Sequence, residues 1–324
     1  MILTLTPNPS IDQTLVLPET LRPGTVQRAE SVSSVAGGKG INVSQACVNA
    51  NVETLAVFPC GTNDPFLRLV KQQALPYLAT PIAGTVRTNT TVTSPTGETT
   101  KLNGPGPTLS AHDLRALQDS LLDAAPRAHA IVLAGSLPQG IPVDWYVTLT
   151  ALLREAVPNI PIAIDTSDAP LRALYAGLDS GIAPDIIKPN GEELGQMLGI
   201  DGQALEDAAA RGNFEPIVAA ARRVVERGIA EVLVTLGAAG AVLVTAEGAF
   251  QAYPPPITCV STVGAGDSTL ASYVLSRTML GCSFLEALEK AVAYGAAAAS
   301  LPGTVIPSPH DVNFADTISQ TLSF

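Results

Sequence analysis

Residues 130–134 read Ala-Ile-Val-Leu-Ala, residues 160–165 Ile-Pro-Ile-Ala-Ile-Asp and residues 186–188 Ile-Ile-Lys. Short apolar runs without polar alternation suit strands buried on both faces, and such strands need helices to cover them. Helical patterns fall in the intervals, across Asp144 to Val157 and near Pro170 to Gly177. Strand, turn and helix in this repeating order predict an α/β protein with a mostly parallel central sheet between helical layers. Ligands of such a sheet sit beyond the carboxyl ends of its strands.

The same order extends in both directions. Toward the N-terminus, Ile2 to Thr6 reads as a strand stopped by Pro7-Asn8-Pro9, Ile41 to Asn51 as a helix, and Thr54 to Cys60 as a buried strand. Ser110 to Ala124 reads as a helix, with Ser110 and Asp113 in a capping-box pattern. Toward the C-terminus, Glu215 to Gly228, Gly266 to Gly281 and Phe284 to Ser300 are helical, and Val232 to Leu236 and Ala241 to Val244 are apolar strands. Asp201 to Asn213 is a surface loop or a short helix. Four segments follow a different rule: Asp12 to Leu17, Glu30 to Val35, Thr88 to Thr93 and Glu98 to Leu102 alternate polar and β-branched residues, as in a half-exposed sheet. The last two flank Ser94-Pro95-Thr96-Gly97, a hairpin signal. The apolar face of this small sheet must be covered by the main domain or by a second subunit.

Composition narrows the partners. Of 324 residues, 46% are hydrophobic and 15% charged, which fits a sheet covered on both faces and opposes disorder. The net charge of -11 repels polyanionic backbones, and no basic stripe offsets it, so nucleic acid is not an expected partner. No apolar stretch reaches the length of a membrane span, no secretory signal opens the chain, and Cys47, Cys60, Cys259 and Cys282 show no metal-ligand spacing. A cytoplasmic location follows as the expectation. None of His112, His129 and His310 is placed for triad chemistry.

Three glycine-rich turns carry the candidate chemistry. Thr262-Val263-Gly264-Ala265-Gly266-Asp267-Ser268 precedes a helix, whose unpaired first-turn amides and dipole suit a phosphoryl group in transfer. Asp267 stands at that mouth, where it can take a hydroxyl proton or serve only as a capping charge. Gly37-Gly38-Lys39-Gly40-Ile41-Asn42 is a second turn into a helix, with backbone amides, a point charge and an amide side chain. It reads equally as a tight turn with an exposed lysine. Lys188-Pro189-Asn190-Gly191-Glu192-Glu193 ends an apolar strand and opens a helix; Asn190 and Glu193 can hold a hydrated magnesium ion through its waters, or can simply cap the helix. Arg87, Lys101 and Lys39, grouped on the small sheet's side, would select a substrate that already bears a phosphate. Asp12, Asn103, Asp165 and Gly135-Ser136-Leu137-Pro138 are further polar positions in apolar surroundings.

These motifs are ordered as in one family. NPSID at 8–12, GGKGIN at 37–42, GPGP at 104–107, GSLP at 135–138, KPNGEE at 188–193, TLGAAG at 235–240 and GAGD at 264–267 resemble the ribokinase-like carbohydrate kinases, specifically the phosphofructokinase B group, from Thr6 to Pro302. The resemblance implies one kinase domain over residues 1–324, a three-layer sandwich with lid strands inserted at about 12–35 and 86–103. In that family the lid often clasps a dimer, so a homodimer through the lid sheet is expected. It implies Asp267 as the base, with Gly264, Ala265 and Gly266 forming the anion hole. Asp12, Gly37, Gly38, Lys39 and Asn42 then lie on the substrate side. Arg87 and Lys101 hold the existing phosphate, and Asn103 lies near the sugar. Lys188, Asn190 and Glu193 serve the phosphates of ATP and hydrated Mg2+, Thr235 and Gly237 line the nucleotide path, and the helix around Ala296 to Ser300 borders adenine. The valine at 263 departs from the acidic or threonine-rich lead-in of many relatives, an alteration expected to affect packing and not the backbone donors. The implied reaction is ATP-dependent phosphorylation of D-fructose 1-phosphate at O6, giving fructose 1,6-bisphosphate and ADP. Tagatose-6-phosphate kinase and 6-phosphofructokinase are the near alternatives. A dinucleotide-binding oxidoreductase is the distant one, opposed by the lack of an early G-x-G-x-x-G after the first strand.

Overall fold

Every side chain from Ala130 to Ala134 is buried, and this run lies inside a ten-stranded sheet. The computed structural model describes residues 1–95 and 99–323. Its elements in chain order are β1 (Ile2–Leu5), β2 (Ser10–Val16), β3 (Ser31–Gly37), α1 (Lys39–Asn49), β4 (Thr54–Cys60), α2 (Pro65–Gln72), β5 (Tyr77–Pro81), β6 (Arg87–Thr93), β7 (Thr99–Asn103), α3 (Ala111–Ala124), β8 (Ala130–Ala134) and α4 (Trp145–Ala156). They continue with β9 (Ile162–Asp165), α5 (Asp168–Gly177), β10 (Ile186–Ile187), α6 (Gly191–Leu198), α7 (Gly202–Ala210), α8 (Glu215–Val225), β11 (Glu231–Thr235), β12 (Ala241–Thr245), β13 (Gly248–Tyr253), α9 (Ala265–Thr278), α10 (Phe284–Ser300) and β14 (Ile318–Leu322).

The large sheet has the order β14-β13-β12-β11-β10-β9-β8-β1-β4-β5. Neighbours from β11 through β5 pair in parallel, and β12, β13 and β14 add an antiparallel edge. Period-2 alternation sorts its side chains into two faces of different size. Leu3, Leu5, Ile131, Leu133, Ile162 and Ile164 pack with Leu121 of α3, Tyr146 of α4 and Ile217 of α8. The opposite face presents Ala130, Val132, Ala134, Ala163 and Ala241 to Val43 of α1, Leu270 and Tyr273 of α9 and Leu288 of α10. Small residues there let α1 and α9 approach closely, which brings both helix N-termini to the sheet's carboxyl edge.

The four alternating segments form a second sheet of order β3-β2-β6-β7. The expected turn residues Thr96 and Gly97, and Glu98 at the start of the expected strand, lie outside the described residues. Ala36 at the end of β3 packs with Phe58 and Phe66, tying the small sheet to the main body.

Several elements escape the apolar pattern. Helix α2 buries only Phe66 and Val70; its signal is the start, where Asp64 accepts from the Phe66 amide at 2.9 Å and Pro65 occupies the first turn. Residues 202–210 form helix α7, capped by Asp201, which resolves the loop-or-helix alternative. The edge strands β5 and β14 lie partly exposed, so neither shows the continuous apolar run of a central strand. No helix among the described residues is long and apolar enough to cross a membrane.

Candidate active site

Strands β9, β10 and β11 are in parallel register, with Ile164 beside Ile187 and Ile187 beside Val232. Their ends therefore deliver Asp165, Lys188 and Thr235 to one edge. Asp165 is 1% exposed and Lys188 5%. Helix α1 supplies Lys39 at its first position and Asn42 one turn on, three residues apart and so on one side of the helix. Lys39 Nζ lies 2.6 Å from Asp165 Oδ1, and Lys188 Nζ lies 3.2 Å from Oδ2. Burial pushes the Asp165 carboxyl up, but the ammonium groups of Lys188 and Lys39 outweigh it and hold the group below its ordinary range. Burial likewise opposes the charge of Lys39, and Asp165, Glu193 and Asp267 together raise it above the usual lysine range.

Asp267 has a contrasting environment. Gly264 begins α9 with φ +79, a left-handed conformation that favours glycine. The Ser268 amide is bonded to the Gly264 carbonyl at 2.9 Å, whereas the Gly266 and Asp267 amides have no backbone acceptor among the described residues. Asp267 is buried, and Asn42 Nδ2 donates to its Oδ2 at 2.7 Å. Its carboxyl is pushed up to about 6, by burial first and then by the negative charge of Asp165, against the opposing pull of Lys39, Asn42 and Lys188. Lys188 also borders the amide turn, since a Cβ added to Gly266 would lie 3.2 Å from Lys188 Nζ. Two buried carboxylates thus differ in charge environment: Asp165 is held ionised between two cations, and Asp267 is raised toward neutrality, where a carboxylate can exchange a proton.

The small sheet contributes one polar face. Its register aligns Ser10 with Arg87, Asp12 with Asn89 and Asn103, and Thr14 with Thr91 and Lys101. Alternation places all of these on the same side. Burial pushes the Asp12 carboxyl up, and hydrogen bonds from Ser10 and Asn89 with the charges of Arg87 and Lys101 partly offset that rise. Arg87 is lowered by burial, donates from Nη1 to the Gly104 carbonyl at 3.3 Å, and lines an open recess of about 460 Å³ between residues 83–88 and 104–108. Lys101 and Asn103 are exposed on β7. Lys39, read from sequence as one group with Arg87 and Lys101, separates from them and pairs with Asp165. Gly38 is the N-cap of α1, and Gly37 ends β3 against Asp12.

On the other side of the Asp267 turn, a cavity of about 560 Å³ is bounded by Thr235, Gly237, Pro255, Val292, Ala296 and Ala299. Ala265 and Gly266 also line it, so a ligand filling the cavity reaches the free amides. Its walls are mainly apolar, a surface for a flat ring system with a charged tail at the helix mouth.

Asn190 and Glu193 act first as a helix cap. Asn190 Oδ1 accepts from the Glu193 amide at 2.6 Å, and Glu193 Oε2 accepts from the Asn190 amide at 2.9 Å. Glu193 Oε1 stays available beside the cluster. Among the described residues no three His, Cys, Asp or Glu side chains converge, so a divalent ion would be carried with its water shell and a ligand's phosphates; the single free carboxylate oxygen fits that mode.

Three contributors were underweighted from sequence. Asp165 had a readable signal, an acid ending an apolar strand. Asn89 had none, since only the strand register distinguishes it from its neighbours in β6. Asn8, which donates to Ser136 Oγ at 3.3 Å, joins two loops distant in the chain.

The chain is similar to known carbohydrate kinases over most of its length. The family model described as pfkB family carbohydrate kinase matches residues 6–311. A 1-phosphofructokinase of Xanthomonas campestris pv. campestris is 37% identical over 273 residues, covering 83% of this chain and 81% of that protein. The crystal structure of phosphofructokinase-2 from Escherichia coli in complex with substrates and products superposes with a TM-score of 0.82 at 28% identity, covering 96% of each chain. Arabidopsis thaliana ribokinase complexed with ribose and ATP shares the fold, with a TM-score of 0.71 at 20% identity over 96% of this chain and 95% of that one.

Proposed function

The chain belongs to the pfkB family of carbohydrate kinases, and from that premise we propose that it transfers the γ-phosphoryl group of ATP to O6 of D-fructose 1-phosphate, giving fructose 1,6-bisphosphate and ADP. The observation that carries the reading is the position of Asp267. It is a buried carboxyl raised to about 6, set between an apolar cavity and the α1 residues, at a helix mouth with free amides. ATP fills the cavity along Thr235, Gly237 and the late helix, and the free amides of Gly266 and Asp267 receive the γ-phosphoryl group. Asp267 takes the O6 proton as that oxygen attacks in line, and Asn42 holds the carboxylate in place. Lys188 and Lys39 balance the charge gathering at the turn. Glu193, with Asn190, would hold Mg2+ through its waters; when bound, the ion neutralises charge on the phosphates. Asp12 and the turn at Gly37 and Gly38 receive the sugar hydroxyls, and Asn103 lies beside them. Arg87 and Lys101 receive the phosphate already present, as an arginine fork and a point charge do for phosphate oxygens.

The small sheet acts as a lid over this site in the same reading, and as the dimer contact. Val32 and Leu102 lie on the face opposite Asp12, 57% and 62% exposed, and a second copy would cover them. The location is cytoplasmic. A coupled assay of ADP release decides the substrate, comparing fructose 1-phosphate, fructose 6-phosphate, tagatose 6-phosphate and fructose. Fastest turnover of fructose 1-phosphate is expected; a preference for either 6-phosphate, whose O6 is already esterified, would overturn the assignment of substrate and position, and a preference for unphosphorylated fructose would overturn the phosphosugar reading as well.

Two further outcomes follow from the site. Arg87→Ala is expected to raise the KM for the phosphosugar by about 10- to 100-fold, the range of a charge-assisted hydrogen bond, with the KM for ATP unchanged. An unaltered phosphosugar KM would remove Arg87 from the phosphate site. The pH profile of kcat/KM is expected to fall tenfold per unit below about pH 6 as Asp267 becomes protonated. Phosphate substrates titrate near the same pH, so the diagnostic is Asp165→Asn. Removing that negative charge lowers the Asp267 pKa and moves the acid limb to lower pH, whereas a limb that stays in place belongs to the substrate.

A further inference from the structure

We propose that Asn89 is a positioning residue for the phosphosugar, acting through Asp12; this rests on the substrate side proposed above. Asn89 stands directly opposite Asp12 in the parallel pairing of β2 and β6. Its Nδ2 donates to Asp12 Oδ1 at 3.1 Å, and Ser10 Oγ donates to the same oxygen at 2.7 Å. Both donors therefore fasten one oxygen. No donor among the described residues reaches Oδ2, which faces the Gly37 backbone so closely that a Cβ on Gly37 would lie 2.1 Å from it. Oδ1 is pinned by two donors, while Oδ2, packed on Gly37 beside the turn that starts α1, has no donor among the described residues.

The amide is not explained by stability. Asn89 Oδ1 is buried and has no hydrogen-bond partner, and an unpaired buried amide oxygen destabilises a fold. A β-branched residue would suit the strand better. Serine at 10 is a local partner, two residues from Asp12 on the same strand, but it cannot restrain rotation of the carboxylate alone. The second donor, from the neighbouring strand, fixes the plane of the group. Arg87 on β6 and Lys101 on β7 are the charged groups facing Asp12; they supply charge and no short hydrogen bond to it. Orientation therefore falls to Ser10 and Asn89.

The test uses the full chain with the phosphosugar that wild type turns over fastest among fructose 1-phosphate, fructose 6-phosphate and tagatose 6-phosphate. Asn89→Ala is expected to lower kcat/KM for that sugar by about 10- to 100-fold, the range for a hydrogen bond to a charged group. The KM for ATP should not change. Asn89→Asp keeps the shape but replaces the donor by a second carboxylate, and it should cost at least as much. In an Asp12→Ala background, Asn89→Ala should add less than about twofold, because its target is gone. A merely structural role predicts instead that Asn89→Ala costs as much in the Asp12→Ala background as in wild type, so that the two losses multiply. An active wild type whose Asn89→Ala variant stays within twofold overturns this inference alone. A wild type inactive on all three phosphosugars overturns the functional proposal and this inference with it.

Discussion

Replacing Asp267 with asparagine is expected to lower turnover by about 10²- to 10⁴-fold while ATP affinity stays within about twofold of wild type. The side chain keeps its shape and its contact with Asn42, so the cavity and the free amides of α9 are preserved. Only the proton acceptor is lost. The same change should not weaken the fold. The carboxyl's folded value of about 6 lies above its ordinary 3.8, so folding disfavours the ionised form. That cost is absent below about pH 4 and fully felt above about pH 6. At pH 8 the asparagine variant should therefore melt no lower than wild type, and any advantage should shrink as the pH falls toward 4. Near-normal turnover in a folded variant would remove Asp267 as the base. A large fall in melting temperature would show that its charge is needed by Lys39 and Lys188 and is not a liability tolerated for chemistry.

The largest effect on stability is expected from Asp165→Ala. The carboxylate is buried between Lys39 and Lys188, and Lys188 is itself nearly inaccessible. Removing it leaves two neighbouring ammonium groups, one of them deep in the protein. Loss of one partner of a buried ion pair costs about 3–5 kcal/mol, a fall in melting temperature of roughly 4–7 °C for a chain of 324 residues. Asp165→Ala combined with Lys188→Met should recover part of the stability, because the stranded charge is gone, and none of the activity, because the cation beside the Gly266 turn is gone too. Melting within about 1 °C of wild type for the single variant would mean that water reaches Lys188 and that the triad of charges is weaker than its geometry implies.

The residue pattern was sufficient for much of this. Continuous apolar runs at 130–134 and 160–165 can be buried only with helices on both faces, which sets the layers whatever their order in space. The GAGD turn at 264–267 is equally local, because a glycine with positive φ followed by a helix leaves amides free without help from elsewhere. The capping box of Asn190 and Glu193 was legible as an alternative and is present, since its bonds span three residues.

What tertiary structure alone decided is which of the scattered polar residues share charge. Lys39 lies 126 positions from Asp165 and Asn42 lies 225 from Asp267; nothing in either neighbourhood distinguishes a pairing of this kind from two solvated side chains. The pairing of Asp12 with Asn89 depends on a parallel register between strands 77 residues apart. A hydrogen bond needs its partners within about 3 Å and Coulomb energy weakens as their separation grows, so which charged and polar side chains pair is a property of the folded chain, whereas the layers and helix mouths follow from periods and turns that the chain carries locally.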